Sequence, residues 1–110
     1  MNPLSKLDFE TILRKGALRK LGPLTLRFIQ QHTAPTRFGF VISKKVSKKA
    51  VDRNRIRRRL KAVLQKRYDS LTHGFDMVII VSPNVFQLSF IDLTNVVEGL
   101  LHEAGISHYE

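Results

Sequence analysis

The sequence predicts a single compact α+β domain whose elements follow the order helix, three strands, helix, strand, helix. Three observations support this fold class. Two candidate helices begin with a Ser that has an Asp three residues later, two segments alternate apolar and polar residues, and a long basic segment carries its apolar residues at helical spacing. A chain of 110 residues is long enough for one hydrophobic core, so we treat residues 1–110 as one domain.

The first helix is predicted over Ser5–Lys15. Ser5 suits the N-cap, and Asp8 completes a capping box, in which the side chain of each residue accepts a hydrogen bond from the backbone N–H of the other. Gly16 follows the last turn, where glycine commonly ends a helix. Phe9 stands at the position from which a hydrophobic staple packs back on the residue before the cap.

Two segments with period-two alternation, Leu24–Ile29 and Phe38–Ser43, predict half-buried strands, and Ala17–Lys20 is a candidate for a short strand before them. The polar link HTAPTR, residues 32–37, favours a hairpin loop, so these strands are expected to form a small antiparallel meander. The later run DMVIIV, residues 76–81, is apolar on both faces, which is typical of a central strand covered by helices.

The basic segment before that run is predicted to be helical, with a start between Ser47 and Asp52. Its apolar residues recur on one helical face, which indicates that this face packs on the core. These residues are Ile56, Leu60, Val63 and Leu64. At about 100° per residue, the opposite face is polar and basic. Its members are Asn54, Arg57, Arg58 and Lys61.

The last helix is predicted to begin at Ser89, with Asp92 repeating the capping pattern of the first helix, and to stop at Gly105. Apolar residues again share one face of this helix, which predicts that the face belongs to the core. They are Phe90, Leu93, Val97, Leu100, Leu101 and Ala104.

Basic residues are concentrated in one part of the chain. Residues 44–67 contain 12 Lys or Arg and one acid, whereas residues 68–110 contain six acids and no Lys or Arg. Cations at the start of a helix oppose its macrodipole, so this segment is unfavourable in the free protein unless a polyanion compensates for it. Nucleic acid is the expected ligand. An anionic membrane surface is the alternative, but the apolar stripe lacks the exposed aromatic residues that such helices use.

Several function classes find no support in the sequence. There is no Cys, which excludes disulfides and thiolate zinc sites, and the longest apolar run is far too short to span a bilayer. The first residues do not resemble a signal peptide, so a cytoplasmic protein is expected. The four His are scattered, with neither an HExxH motif nor a nucleophile elbow, so we predict no catalytic residue and no metal site.

RNA is favoured over DNA as the ligand. A helix-turn-helix protein would have a second helix immediately before the basic one, whereas the preceding residues here are strand-like. Phe9, Phe28, Phe38 and Phe40 could stack on unpaired bases beside the cations, as in proteins that bind single strands. The competing interpretation, that each of these rings belongs to the core, stays open.

The segment KKVSKKAVDRNRIRRRLKAVL closely resembles the signature of the bacterial ribonuclease P protein subunit, whose hallmark is the RNR motif, here Arg53, Asn54 and Arg55. The resemblance extends to DFETILRKG, RFGFVISKK and HGFDMVIIVSP, and so covers most of the chain. It implies a small mixed sheet packed by helices, with an unusual left-handed crossover through the basic helix, where general rules favour the right-handed form.

The resemblance also implies a division of labour. The catalytic RNA subunit removes the 5′ leader of precursor tRNA with Mg²⁺ in the holoenzyme, while the protein binds no cofactor of its own and supplies no catalytic residue. The expected partners are the ribonuclease P RNA and precursor tRNA, with no membrane and no obligate protein partner.

Two sets of site residues follow from the resemblance. The RNA-binding set comprises Lys44, Lys45, Lys48, Lys49, Arg53, Asn54, Arg55, Arg57, Arg58 and Lys61. The set expected in a cleft for the single-stranded leader, between the first helix and the sheet, comprises Phe9, Leu13, Arg27 and Phe38. Leu13 stands where the family often has a second Phe, so apolar packing must replace stacking there. Arg27 falls near another position that is often aromatic and offers a cation instead.

Two other functions compete with this interpretation. A ribosomal or other structural RNA-binding protein would use the same basic helix but would not distinguish precursor from mature tRNA. A nonspecific DNA-binding protein would prefer duplex DNA in competition with leader-bearing RNA.

Overall fold

The computed structural model describes residues 4–31, 35–68 and 74–106. The helices are α1 (Lys6–Lys15), α2 (Ala50–Arg67) and α3 (Phe90–Glu103), and the strands are β1 (Ala17–Leu21), β2 (Leu24–Gln30), β3 (Arg37–Val41) and β4 (Phe75–Val81). This confirms the predicted order of elements. A short 3₁₀ helix, Pro83–Gln87, joins β4 to α3 and was not predicted.

The four strands form one mixed sheet in the order β1-β2-β4-β3. β2 is antiparallel to both β1 and β4, whereas β3 is parallel to β4. The predicted meander, with a hairpin from β2 to β3, is therefore wrong, because β4 lies between these two strands. Part of the predicted hairpin loop, residues 32–34, lies outside the described residues.

Burial explains why β4 takes the position between β2 and β3. Six of its seven residues are buried, on both faces of the sheet, whereas β3 is mostly half-buried. A strand that is apolar on both faces would leave part of its apolar surface exposed to water at an edge of the sheet. It therefore occupies the interior of the sheet, as predicted. The parallel pair β3 and β4 is then joined through α2, in the crossover that parallel neighbours require. The left-handed sense of this crossover stays a prediction.

The two faces of the sheet pack against different helices. One face contributes Leu26, Met77 and Ile79 to a core that also includes the predicted apolar stripe of α2 and most of that of α3. The other face carries α1, whose Ile12 is buried. The sheet therefore separates α1 from the basic helix α2.

The ends of the helices confirm most of the predicted caps. In α1 the Ser5 hydroxyl accepts the Asp8 N–H at 3.1 Å, and the Asp8 carboxylate accepts the Ser5 N–H at 3.2 Å. After α3, Gly105 adopts a left-handed backbone with φ of 74°, and the Ile106 N–H donates to the Leu101 carbonyl at 2.9 Å. This is a Schellman ending, which favours glycine because a side chain strains that conformation.

Phe90 departs from the predicted core face of α3. Its side chain is 43% exposed, although Leu93, Val97, Leu100 and Leu101 of the same face are buried. Phe90 is the first residue of α3, so its ring lies at the rim of the core, beside Arg59 of α2.

Candidate nucleic-acid interface

The loop between β3 and α2 holds its paired lysines at the surface. Ile42 and Val46 are buried in the core on either side of the exposed Lys44 and Lys45. A turn between these anchors is closed by the Val46 N–H, which donates to the Ser43 carbonyl at 3.0 Å. Because apolar side chains fix both ends of the turn, the backbone that carries the two lysines is held at a defined position on the surface.

Ser47 organises the entry to α2. Its hydroxyl donates to the Asp52 carboxylate at 3.0 Å and accepts the Lys49 N–H at 3.2 Å, and its carbonyl accepts a hydrogen bond from Arg53 Nη1 at 2.7 Å. The N-cap residue Lys49 supplies no side-chain cap. The only acid of the segment and one arginine of the RNR motif therefore hold the loop against the helix.

The three residues of the RNR motif point in different directions. Arg53 is half-buried against the loop, whereas Asn54 and Arg55 are exposed. Asn54 Oδ1 accepts a hydrogen bond from Arg57 Nη1 at 2.9 Å on the outward face of α2. Arg55 instead lines a small cleft together with Phe86.

The other predicted RNA-binding residues are exposed on the loop and on the first three turns of α2. We call them the basic surface. It comprises Lys44, Lys45, Lys48, Lys49, Asn54, Arg55, Arg57, Arg58 and Lys61.

Carboxylates do not neutralise the basic surface. Within residues 4–31, 35–68 and 74–106, no cation from Lys44 to Lys61 forms an ion pair, and the one acid of the segment, Asp52, is bonded to the Ser47 hydroxyl. These charges crowd the positive end of the α2 dipole. The surface is therefore an uncompensated electropositive site suited to a polyanion.

The side of the sheet that carries α1 brings together three of the four predicted cleft residues. A Cβ atom at Gly39 would overlap the Phe9 ring, so the glycine allows this ring to lie directly on β3. Leu13 is exposed on α1, and Arg27 on β2 donates from Nη1 to the Gly16 carbonyl at 3.3 Å. An aromatic ring, an apolar side chain and a cation therefore share this side of the sheet.

Phe38 is not part of that cleft, which corrects the prediction. It pairs with Met77 on the opposite face of the sheet, is only 8% exposed, and belongs to the core. Its ring centroid lies 5.9 Å from that of Phe40, which packs on the same core. Period-two alternation places Phe38 away from α1, while its neighbour Gly39 faces Phe9.

A charged network that was not predicted attaches α1 to the sheet. Arg37 makes a bidentate contact with Asp76, with Nε to Oδ1 at 2.9 Å and Nη2 to Oδ2 at 2.6 Å. Its Nη1 also lies 3.3 Å from Asp8 Oδ2. The signal was present in the sequence, because a charged residue inside the apolar run of β4 needs a buried partner.

Hydrogen bonding shapes the protonation of this network. The Ser5 hydroxyl and N–H, helped by the Arg37 guanidinium, hold the pKa of Asp8 below its usual value. The hydrogen bond to Asp76 raises the pKa of Arg37. Both shifts favour the charged forms that join α1 to the sheet.

A family model described as Ribonuclease P matches residues 4–105 of the chain. The chain belongs to the ribonuclease P protein family. Among curated relatives, the ribonuclease P protein component of Synechocystis is 36% identical over 100 residues, which cover 90% of this chain and 81% of that protein. The component of Synechococcus elongatus is 38% identical over 105 residues, which cover 91% and 86%.

Solved structures agree on the fold. The RNase P protein of Staphylococcus aureus superposes with a TM-score of 0.86 at 20% identity, covering 96% of this chain and 97% of that one. The RNase P protein of Thermotoga maritima gives a TM-score of 0.83 at 22% identity, covering 94% and 97%. The predicted α+β fold with a mixed sheet is confirmed.

Membership in the ribonuclease P protein family settles the general function. The chain is a protein component of ribonuclease P, the endoribonuclease of tRNA 5′ processing, and works with the ribonuclease P RNA. Among the residues that the structure describes, no three His, Asp or Glu side chains are grouped as metal ligands. No helix in the described part of the chain is long and apolar enough to cross a membrane.

Proposed function

We propose that the basic surface binds the catalytic RNA of ribonuclease P, while the cleft beside α1 binds the 5′ leader of precursor tRNA. In this proposal the RNA, with Mg²⁺, carries the hydrolysis that releases the leader. The protein positions the precursor and supplies no reacting group. The observation that carries the proposal is the uncompensated charge of the basic surface.

The chemistry of the basic surface suits an RNA backbone. Arg57 and Arg58 present guanidinium groups that can contact phosphate oxygens with two donors each, and Asn54 adds a neutral donor and acceptor for sugar or base. Each cation that contacts a phosphate releases counterions, so binding should weaken steeply with salt. An RNA that neutralises the cations at the start of α2 also removes their unfavourable interaction with the helix dipole, which adds to the free energy of binding.

The cleft beside α1 suits a single strand. The Phe9 ring lies on β3 at Gly39, and Leu13 is exposed on α1. The sheet offers Thr25, Ile80 and Val41, which are aligned across β2, β4 and β3 and are only half-buried. A partly exposed apolar floor with an aromatic edge accepts unstacked bases. A leader bound here would favour precursor over mature tRNA, because the mature product lacks those nucleotides.

Single-turnover cleavage of a precursor tRNA by a cyanobacterial ribonuclease P RNA, at low Mg²⁺ with and without this protein, tests the proposal. We expect strong stimulation of cleavage at the mature 5′ end and weaker binding of a leaderless substrate.

Arg57→Ala should reduce affinity for the RNA, whereas Lys6→Ala, which removes the same charge at the start of α1, should not. RNA binding without stimulation and without leader preference would instead indicate a structural RNA-binding protein.

A further inference from the structure

Two aromatic side chains are exposed near the start of α3, on the side of the sheet opposite α1. Phe86, in the 3₁₀ helix, is 52% exposed, and Phe90 is 43% exposed. Neither was predicted to contact RNA. Because an exposed aromatic ring loses the free energy that burial would provide, a pair of such rings beside a basic helix indicates a binding surface.

One arginine of α2 lies over the Phe90 ring, and two arginines share a cleft with Phe86. The guanidinium carbon of Arg59 is 5.8 Å from the centroid of the Phe90 ring, within the range of a cation–π contact. Arg55 and Arg59 also line, with Phe86, a cleft of about 80 Å³. The rings are therefore interleaved with cations that carboxylates do not neutralise among the described residues.

A larger cleft of about 200 Å³ opens between α2 and α3 on Phe90. Ala62 and the Phe90 ring give it apolar walls, and Lys66 and Thr94 add polar groups. Glu98 also lines the cleft, but its carboxylate is paired with Arg67 at 3.0 Å. Apolar walls with a few polar groups are the usual composition of a site for a small ligand.

We propose that Phe86 and Phe90, with Arg55 and Arg59, form a stacking site for an unpaired nucleotide of the ribonuclease P RNA. The base stacks on an aromatic ring, and the arginines with Lys66 contact the adjoining phosphates. This site deepens the proposed function and rests on it, since it adds base contacts to the backbone contacts of the basic surface. It is separate from the leader cleft, because the sheet lies between them.

The excess of cations around the rings decides between RNA and a protein partner. Arg55 belongs to both the basic surface and the small cleft, so an RNA strand bound on α2 passes directly beside Phe86. An apolar protein partner would have to desolvate Arg55 and Arg59 without neutralising them, which is unfavourable.

The test measures the affinity of the full-length protein for a cyanobacterial ribonuclease P RNA over a range of salt concentrations. Phe86→Ala and Phe90→Ala should each weaken binding about 5- to 150-fold, the equivalent of the roughly 1–3 kcal/mol measured per stacked base. The salt slope should stay unchanged, because no phosphate contact is lost. Phe90→Tyr, which keeps an aromatic face, should bind as the wild type does.

Ile91→Ala is the matched control, because Ile91 is 72% exposed beside Phe90 and lines neither cleft. If Phe90→Ala fails to fold by circular dichroism, the comparison of Phe90→Leu with Phe90→Tyr carries the test, since only tyrosine retains stacking.

Three results would overturn the proposal. Full affinity in both alanine variants, with affinity lost in Arg57→Ala, would refute stacking and leave the proposed function standing. Absence of salt-dependent RNA binding by the wild type would refute both. Self-association in sedimentation velocity that Phe86→Ala abolishes, with RNA affinity intact, would assign the rings to contact with a second copy of the chain.

Discussion

Replacement of Arg37 by Met should destabilise the protein more than any other single loss of charge in the described structure. Asp76 is 4% exposed and receives two hydrogen bonds from Arg37, at 2.9 and 2.6 Å. The substitution leaves a buried carboxylate without its cation, which costs about 3–5 kcal/mol. For a domain of this size, where about 1 kcal/mol corresponds to about 4 °C, the Tm should fall by at least about 12 °C.

The same geometry predicts that replacing Arg37 and replacing Asp76 lower the stability by different amounts. The Arg37 side chain is 22% exposed and has Asp8 Oδ2 within 3.3 Å, so Asp76→Asn leaves a cation that water and a second carboxylate still stabilise. Asp76→Asn should therefore be milder than Arg37→Met. The double variant should recover much of the loss, because no uncompensated charge remains.

Urea and thermal denaturation followed by circular dichroism would measure this series. Arg14→Met is the matched control, since it removes an exposed arginine of α1. The reasoning would be refuted if Arg37→Met were no more destabilising than Arg14→Met, or if the losses of the two single variants simply added in the double variant.

Three further predictions concern the two RNA surfaces and the cap of α1. Arg53→Ala should lower both the affinity for RNA and the free energy of unfolding, the latter by about 1.5–3 kcal/mol, because the Arg53 guanidinium donates a hydrogen bond to a loop carbonyl. Arg55→Ala should lower the affinity for RNA alone. Filter binding and thermal denaturation separate these outcomes, and equal Tm values for the two variants would contradict the prediction. Gly39→Ala should displace the Phe9 ring and reduce the preference for precursor over mature tRNA in competition binding, while affinity for the catalytic RNA stays unchanged. Because the pKa of Asp8 is lowered on folding, its contribution is complete above the unfolded pKa of about 4 and is lost as the pH falls through the lower folded value. Asp8→Asn should remove that part of the acid dependence in urea titrations below about pH 5, and an unchanged profile would show that Asp8 does not contribute.

Local signals in the sequence were sufficient for the helices and for the interior position of β4. The caps at Ser5 and Ser89, the stripe of α2 and the two apolar faces of β4 each depend on residues close together in the chain. The partner of β3 depends on which strand buries both faces, which is a property of the assembled sheet. A polar link after β2 therefore suggested a hairpin, although β4 is inserted there.

The aromatic residues show the same limit at the candidate sites. Alternation shows that Phe38 and Gly39 face opposite sides of β3, but it does not show which side carries α1. Helical periodicity places Phe90 on the apolar face of α3, but it does not show that the core ends at the first turn. Phe38 was consequently listed with the leader cleft and Phe90 with the core face of α3, whereas the structure buries Phe38 and leaves Phe90 43% exposed.

The RNR motif joins three parts of the proposed interface because consecutive helical residues differ by about 100° in direction. Arg53 fixes the loop that carries the lysines, Asn54 lies with Arg57 on the outward face, and Arg55 turns toward Phe86. An RNA that contacts the last two residues must follow roughly 100° of the helix circumference, from the basic surface to the aromatic rings. A helix with all of its cations on one face would bind a phosphate backbone as well as α2 does. The spread of the motif around α2 therefore favours recognition of a shaped RNA with an unpaired nucleotide over binding to a regular duplex.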